Sequence, residues 1–250
     1  MSKILVIGDS CLDEYIYCTT GRFCPDAPVP ILKPESFVSA LGMAGNVVDN
    51  LKSLGCDGWL VSNANHIKKT RYVDSRTNHM FIRVDEGEDD VFPIAQKSLE
   101  DIKFNEFDAI IISDYCKGFI DEATIKYISE QHPLTFLDTK KSLGDYASKI
   151  KFIKINDVEF KYNKDNIDKS WSKKMIITRG PRGAEYKGKV YPVKEVDVRD
   201  TSGAGDTFLA GLVFDYLKNK SIIKAIKFAN KCATQVVQKK GTAKINLNEI

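Results

Sequence analysis

Asp200-Thr-Ser-Gly203-Ala-Gly205-Asp206-Thr-Phe is the stretch of this 250-residue chain whose residue types best fit a chemical task. Its glycines stand before a segment in which Phe208, Leu209, Leu212, Val213, Tyr216 and Leu217 recur at helical spacing, so the loop opens onto a helix N-terminus. The first N–H groups of a helix have no intrahelical acceptor. With the helix dipole they make a site for anionic oxygen, above all a phosphoryl group. Asp206 sits just inside that site, where its charge would repel a phosphate that was only bound. It makes sense there if it receives the proton of a hydroxyl that attacks phosphorus. The other reading is that Asp206 complements the dipole and Gly203 and Gly205 shape a turn; the loop alone leaves both open.

Such a loop needs a scaffold. Apolar runs at Ile4–Ile7, Ala109–Ile112, Leu134–Leu137, Phe152–Ile155 and Met175–Ile177 read as strands buried on both faces, the pattern of a parallel sheet. Between them, Ala44–Leu54, Asp121–Gln131 and Ala204–Lys218 read as helices, and a last helix runs from the N-cap Ser221 to Gly241. The alternation predicts an α/β fold with a doubly wound, mostly parallel sheet. Segments 14–34 and 69–85 break the rhythm. The first is extended and proline-rich, the second alternates around a turn at Ser75–Asn78, and together they predict a small β-sheet lid. Ala184–Val193 reads as a hairpin, and 1–250 as a single domain with that lid.

Composition narrows the class. Hydrophobic residues at 43% and charged residues at 28% are ordinary for a globular chain and exclude disorder. A net charge of +3 is too small to imply a nucleic-acid or membrane partner. Gly180-Pro-Arg-Gly183 matches a KH-type G-x-x-G, but such a module is far smaller and the charge does not support it. Cysteines 11, 18, 24, 56, 116 and 232 show no C-x-x-C pair and no zinc spacing, so they read as reduced thiols of a cytoplasmic protein. No apolar run is long enough for a signal peptide or a membrane span.

The loop at 200–208 resembles the D-[TV]-[TS]-G-A-G-D signature of ribokinase-like (PfkB) carbohydrate kinases. Leu41-Gly-Met-Ala-Gly-Asn46-Val is similar to that family's G-G-x-x-N-x-A motif, Asn156-Asp-Val-Glu159 to its N-x-x-E element, and Thr178-Arg-Gly180-Pro-Arg-Gly183 to its T-x-G-x-x-G nucleotide loop. Within the family, Gly8–Tyr15, Arg22–Pro30, Lys69–Arg71, Arg83–Asp85, Ser113–Gly118 and Lys240–Ala243 resemble the kinase half of bifunctional D-glycero-β-D-manno-heptose-7-phosphate kinase/adenylyltransferases. The resemblance implies a ribokinase-like fold and ATP- and Mg²⁺-dependent phosphorylation of a sugar or sugar phosphate at an anomeric hydroxyl.

By that resemblance Asp206 is the base, and Gly203, Ala204 and Gly205 hold the transferring phosphoryl. Asn156 and Glu159 orient phosphates and hydrated Mg²⁺, with a turn Asn and a surface Glu as the alternative. Thr178, Gly180 and Gly183 line the nucleotide, and Asn230 lies near adenine or ribose. Asp9, Asp13, Gly42 and Asn46 form the sugar side, turn capping being the alternative for Asp9. Asp200 and Thr201 belong to a monovalent-cation (K⁺) site of some relatives. A substrate phosphate would need cations, and Arg71 on the lid, Lys117 after Asp114, and Lys140 in the place of the family's D-P-K-G element are the candidates.

Three departures qualify the match. Met43 replaces the usual second glycine, the stretch between Gly55 and Lys69 is shorter than in the family, and no H-x-G-H nucleotidyltransferase motif occurs. They keep open a kinase of a free sugar or nucleoside, or a catalytically weak sugar- or nucleotide-binding homologue. The lid's strand edges predict a homodimer through the lid.

Overall fold

The computed structural model describes residues 1–65, 67–167 and 169–250. In chain order the elements are β1 (Lys3–Gly8), β2 (Ser10–Phe23), β3 (Pro30–Met43), α1 (Ala44–Ser53), β4 (Asp57–Ser62), β5 (Ile67–Asp74), β6 (Met80–Glu86), α2 (Gln96–Glu100) and β7 (Ala109–Asp114). They continue as α3 (Glu122–Gln131), β8 (Thr135–Thr139), β9 (Phe152–Asn156), α4 (Asp157–Asn163), β10 (Met175–Thr178), β11 (Ala184–Tyr186), β12 (Lys189–Tyr191), α5 (Ala204–Asn219) and α6 (Ile222–Val236).

The apolar runs form the main sheet, in the order β12-β11-β10-β9-β8-β7-β1-β4. Strands from β4 to β10 pair in parallel, and β11 and β12 add an antiparallel hairpin at one end. Successive residues of each strand point to opposite faces. Ile4, Val6, Ala109, Ile111, Phe136 and Phe152 pack with α1, α5 and α6 on one side. Leu5, Ile7, Ile110, Ile112, Leu137, Ile153 and Ile155 pack with α2 and α3 on the other. Helices on both faces explain why the runs are continuously apolar, and the sheet is doubly wound as expected.

The second sheet is larger than segments 14–34 and 69–85. It comprises β3-β2-β5-β6 in that order, reaching from Ser10 to Met43 and from Ile67 to Glu86. The prolines that marked this region as helix-hostile sit where a sheet tolerates them. Pro34 lies on the edge strand β3, beside a register jump between Tyr17 and Cys18, and Pro25 and Pro28 lie in the connection between β2 and β3. β1 runs into β2 with only Asp9 between, and β4 into β5 across residues 63–66. The parallel neighbours β1 and β4 thus continue as the parallel neighbours β2 and β5 of the lid.

Helix α6 ends at Val236 rather than at Gly241. The carbonyl of Val237 accepts the N–H groups of Arg199 and Asp200, which ties the end of the helix to the loop before α5. Every cysteine is a free thiol. Among the described residues no helix is long and apolar enough to cross a membrane.

Candidate active site

Gly203 caps α5 with φ 74°, and a Cβ there would stand 2.5 Å from Nδ2 of Asn46. Only glycine fits both the left-handed backbone and that approach. The N–H of Ala204 turns back to the carbonyl of Thr201 at 3.2 Å, whereas among the described residues no acceptor meets the N–H of Gly203 or Gly205. These two donors remain available to an anion.

Asp206 is 3% exposed in the first turn of α5. Tyr115 Oη donates to its Oδ1 at 2.6 Å and Asn46 Nδ2 to its Oδ2 at 3.1 Å. Asn46 is itself held by Asn50, whose Nδ2 donates to Oδ1 of Asn46 at 2.9 Å one helical turn on. Burial pushes the Asp206 carboxyl up to about 6, with the two donors and Lys154 opposing and Asp138 reinforcing the rise. A carboxyl titrating there is suited to accept a proton near neutrality.

Tyr115 and Lys154 emerge from the structure, and their sequence signals were weak. Tyr115 follows β7, and Lys140 lies over its ring at 4.4 Å. Lys154 is a lone cation within the apolar strand β9; its Nζ meets Oδ2 of Asp138 at 2.6 Å, both residues being buried. A Cβ on Gly205 would lie 3.0 Å from that Nζ.

On the lid side, Arg71 donates to Oδ1 of Asp13 at 2.6 Å, and Thr242 Oγ1 to Oδ2 of Asp13 at 3.3 Å. Thr242 also meets Tyr15 Oη at 3.2 Å, so the 240–243 segment links the lid to the loop at 200–206. Gly42 is required because a Cβ would come within 2.4 Å of Oδ2 of Asp13. Met43 holds φ 56°, the conformation a glycine would take without cost, and its side chain is buried against Cys11 and Ile67.

Several expected ligands are engaged within the protein. Asp9 accepts the N–H groups of Tyr115, Lys117 and Phe119, which is the capping alternative; it shapes the turn that presents Tyr115. Asp114 is buried and accepts from Cys116 N, Thr139 Oγ1 and Lys141 Nζ. Lys117 pairs with Glu88, which also takes Lys69 at 2.6 Å, so Arg71 and Lys117 each already face a carboxylate. Lys140 is exposed beside Tyr115.

Asn156 and Glu159 form a reciprocal capping box on α4: Asn156 Oδ1 accepts the N–H groups of Val158 and Glu159, and Glu159 Oε2 accepts that of Asn156 at 2.7 Å. Burial raises the Glu159 carboxyl, with nearby Asp138 adding to the rise. Thr178 ends β10, and Gly180 and Gly183 have φ 55° and 88°. A Cβ on Gly183 would lie 2.1 Å from the Tyr191 carbonyl, so the turn is pressed onto β12. Asn230 donates to that same carbonyl at 2.7 Å. It also lines a cavity of about 720 Å³ with Pro192, Val193, Val196, Lys231 and Thr234. Thr178, Gly180 and Gly183 do not line that cavity. Asp200 braces its loop, accepting from Ser202 N at 2.8 Å and Gly241 N at 3.1 Å, and Thr201 is exposed.

Comparison with known proteins agrees with this geometry. The chain is 31% identical, over an alignment 304 positions long with its gaps, to the bifunctional protein HldE of Helicobacter pylori strain J99, covering 100% of this chain and 66% of that one. It thus spans about two thirds of the length of that relative. The fold is similar to Escherichia coli phosphofructokinase-2 in complex with potassium (TM-score 0.72, 14% identity, 100% and 97% of the two chains). It is also similar to Arabidopsis thaliana ribokinase complexed with ribose and ATP (TM-score 0.68, 15% identity, 98% and 97%). A family model described as pfkB family carbohydrate kinase matches residues 62–249, which include Asp206 and the loop before it, and the chain belongs to that family.

Proposed function

We propose that the protein transfers the γ-phosphoryl group of ATP to the anomeric hydroxyl of a sugar phosphate of the D-glycero-D-manno-heptose 7-phosphate type. The observation that carries this reading is the buried Asp206, aimed by Tyr115 and Asn46 at the open N-terminus of α5. The sugar hydroxyl, approaching between the lid and Asp206, gives its proton to the carboxylate as its oxygen attacks phosphorus. The N–H groups of Gly203 and Gly205 hold the phosphoryl oxygens. Likeness to a bifunctional HldE points to the heptose phosphate.

Among the described residues no group of three His, Cys, Asp or Glu side chains could ligate a metal directly. Half-buried Glu159 and Asn156, at the start of α4, are the residues that would face Mg²⁺ brought in by the nucleotide. Mg²⁺ offsets charge on the phosphates. Asp200 and Thr201 are the side chains we assign to a monovalent cation.

The lid supplies the oligomer in this reading. Its inner face carries Asp13, Arg71 and Asp85, while Phe37, Ile16, Tyr72 and Ile82 stand in one row across its outer face. Phe37, Ile82 and Val84 are exposed there, an apolar surface suited to a second copy of the chain.

The pairing of Arg71 with Asp13 and of Lys117 with Glu88 favours a second reading, a kinase of an uncharged sugar. Coupled ADP release with heptose 7-phosphate, free heptose, ribose and nucleosides separates the two. Preference for a free sugar replaces the first reading with the second, and no turnover with any of them overturns both.

A further inference from the structure

Alternation along β9 sends Lys154 to the same side of the sheet as Phe152, the side covered by α5. A lysine is the wrong residue to bury there for stability. Its ammonium stands beside the N-terminus of α5, the positive end of the helix dipole, at 3.0 Å from where a Cβ of Gly205 would be. The carboxylate of Asp138 meets it at 2.6 Å, yet a buried pair of this kind about breaks even against desolvation and is a poor source of stability. The carboxyls whose charge acts on Lys154 are Asp138, Glu159 and Asp206, of which Asp138 is the one in contact with it.

The pair is intelligible if a further anion belongs in front of it. The ammonium stands at the start of α5 with the open N–H groups of Gly203 and Gly205, so these three donors can be shared by the oxygens of one anionic group. We propose that Lys154 is a catalytic residue whose ammonium donates to an oxygen of the phosphoryl group in transit, with Asp138 holding it in position. The inference rests on the kinase reading of the same site. In the transfer, the acceptor oxygen bonds to phosphorus and its proton passes to Asp206. The bond from phosphorus to the bridging oxygen breaks, and ADP leaves with that electron pair. Lys154 keeps all its protons; it contributes charge and a hydrogen bond that strengthens as the phosphoryl oxygens gain charge. A side chain at Gly205 would press on the ammonium, at 3.0 Å from its Cβ.

The test is Lys154→Met combined with Asp138→Asn, which removes both charges and leaves no unpaired buried carboxylate. The expected result is a melting temperature close to wild type, a sugar KM within about threefold, and a kcat lower by about 10²–10³. Lys154→Gln, whose amide can still donate to Asp138, repeats the measurement in a background that keeps that contact, with the same expected loss. A kcat within about threefold of wild type in either folded variant overturns the assignment and makes the pair structural. Wild-type protein run in the same assay separates this outcome from failure of the kinase reading, which shows as no ATP-dependent turnover at all.

Discussion

Tyr115 Oη donates to Asp206 Oδ1 at 2.6 Å, so this buried carboxyl is held by a phenol that follows β7, a strand of the main sheet distant in sequence from α5. This hydrogen bond favours the ionised carboxylate, opposing the burial that pushes Asp206 up to about 6.

The first prediction is a pH profile. kcat/KM should fall below about pH 6 as Asp206 is protonated. Tyr115→Phe removes a donor that lowers the carboxyl, so the acid limb should move to higher pH, by roughly 0.5–1 unit for a hydrogen bond of about 1 kcal/mol. An unmoved limb would show that Asp206 does not limit the rate.

Asp206→Asn should cut kcat by about 10²–10⁴ while nucleotide affinity stays near wild type. It also has a stability signature. A carboxyl raised from 3.8 to about 6 contributes stability that is complete below 3.8 and lost as pH rises through about 6. The neutral amide avoids that loss, so the melting temperature of the variant should gain on wild type between about pH 4 and pH 6 and run parallel to it above that. Parallel curves below pH 6 as well would contradict the buried, raised carboxyl.

Met43 sets backbone strain against packing. Its φ of 56° with ψ −131° lies in a sparsely populated region that costs a non-glycine residue about 1–3 kcal/mol, while its buried side chain is worth about 2–5 kcal/mol. Met43→Gly should therefore destabilise modestly in urea unfolding. Met43→Ala should destabilise more, because it loses the packing and keeps the strain. The opposite order would mean that the left-handed conformation is not held in solution.

Lys140 lies over Tyr115 and its charge lowers the Glu159 carboxyl, and Lys117 shares Glu88 with Lys69. If a substrate phosphate docks on these cations, Lys140→Ala and Lys117→Ala should each weaken use of the phosphorylated sugar by roughly 1.5–3 kcal/mol. Turnover of the matching free sugar should change little. Equal losses on both substrates would count for the uncharged-sugar reading.

The outer row of the lid should hold two copies together. Light scattering at tens of micromolar should give a dimer for wild type and a monomer for Ile82→Lys, whose side chain lies on the exposed face. A wild-type monomer at that concentration would remove the lid interface.

The strands of the main sheet were legible because burial on both faces writes itself as continuous apolarity, as in Ala109–Ile112. Gly203, Gly205 and Asp206 were legible because their geometry is local to one helix start. Tyr115 and Lys154 were not, since each acts on a partner carried by another element, and neither has a local pattern. Asn156 and Glu159 show a different limit. The same spacing of three serves a capping box and a phosphate-side pair, so the sequence could not separate them. Asp9 carried two readings for a similar reason, and only the three N–H groups around it show which role it fills.

The continuation of β1 and β4 into β2 and β5 has a mechanical consequence. A plate fixed to a wall by two adjacent straps can swing about the line joining them but resists sliding and twisting. One strap is Asp9 and the other joins β4 to β5, while Met43, paired with Ser10 beside the first strap, enters α1 at the same end of the lid. Rotation of the lid is thus geared to Asp9, whose carboxylate grips the turn that carries Tyr115. The angle of the lid and the turn that presents Tyr115 to Asp206 are linked through one residue, so a movement of one would be passed to the other.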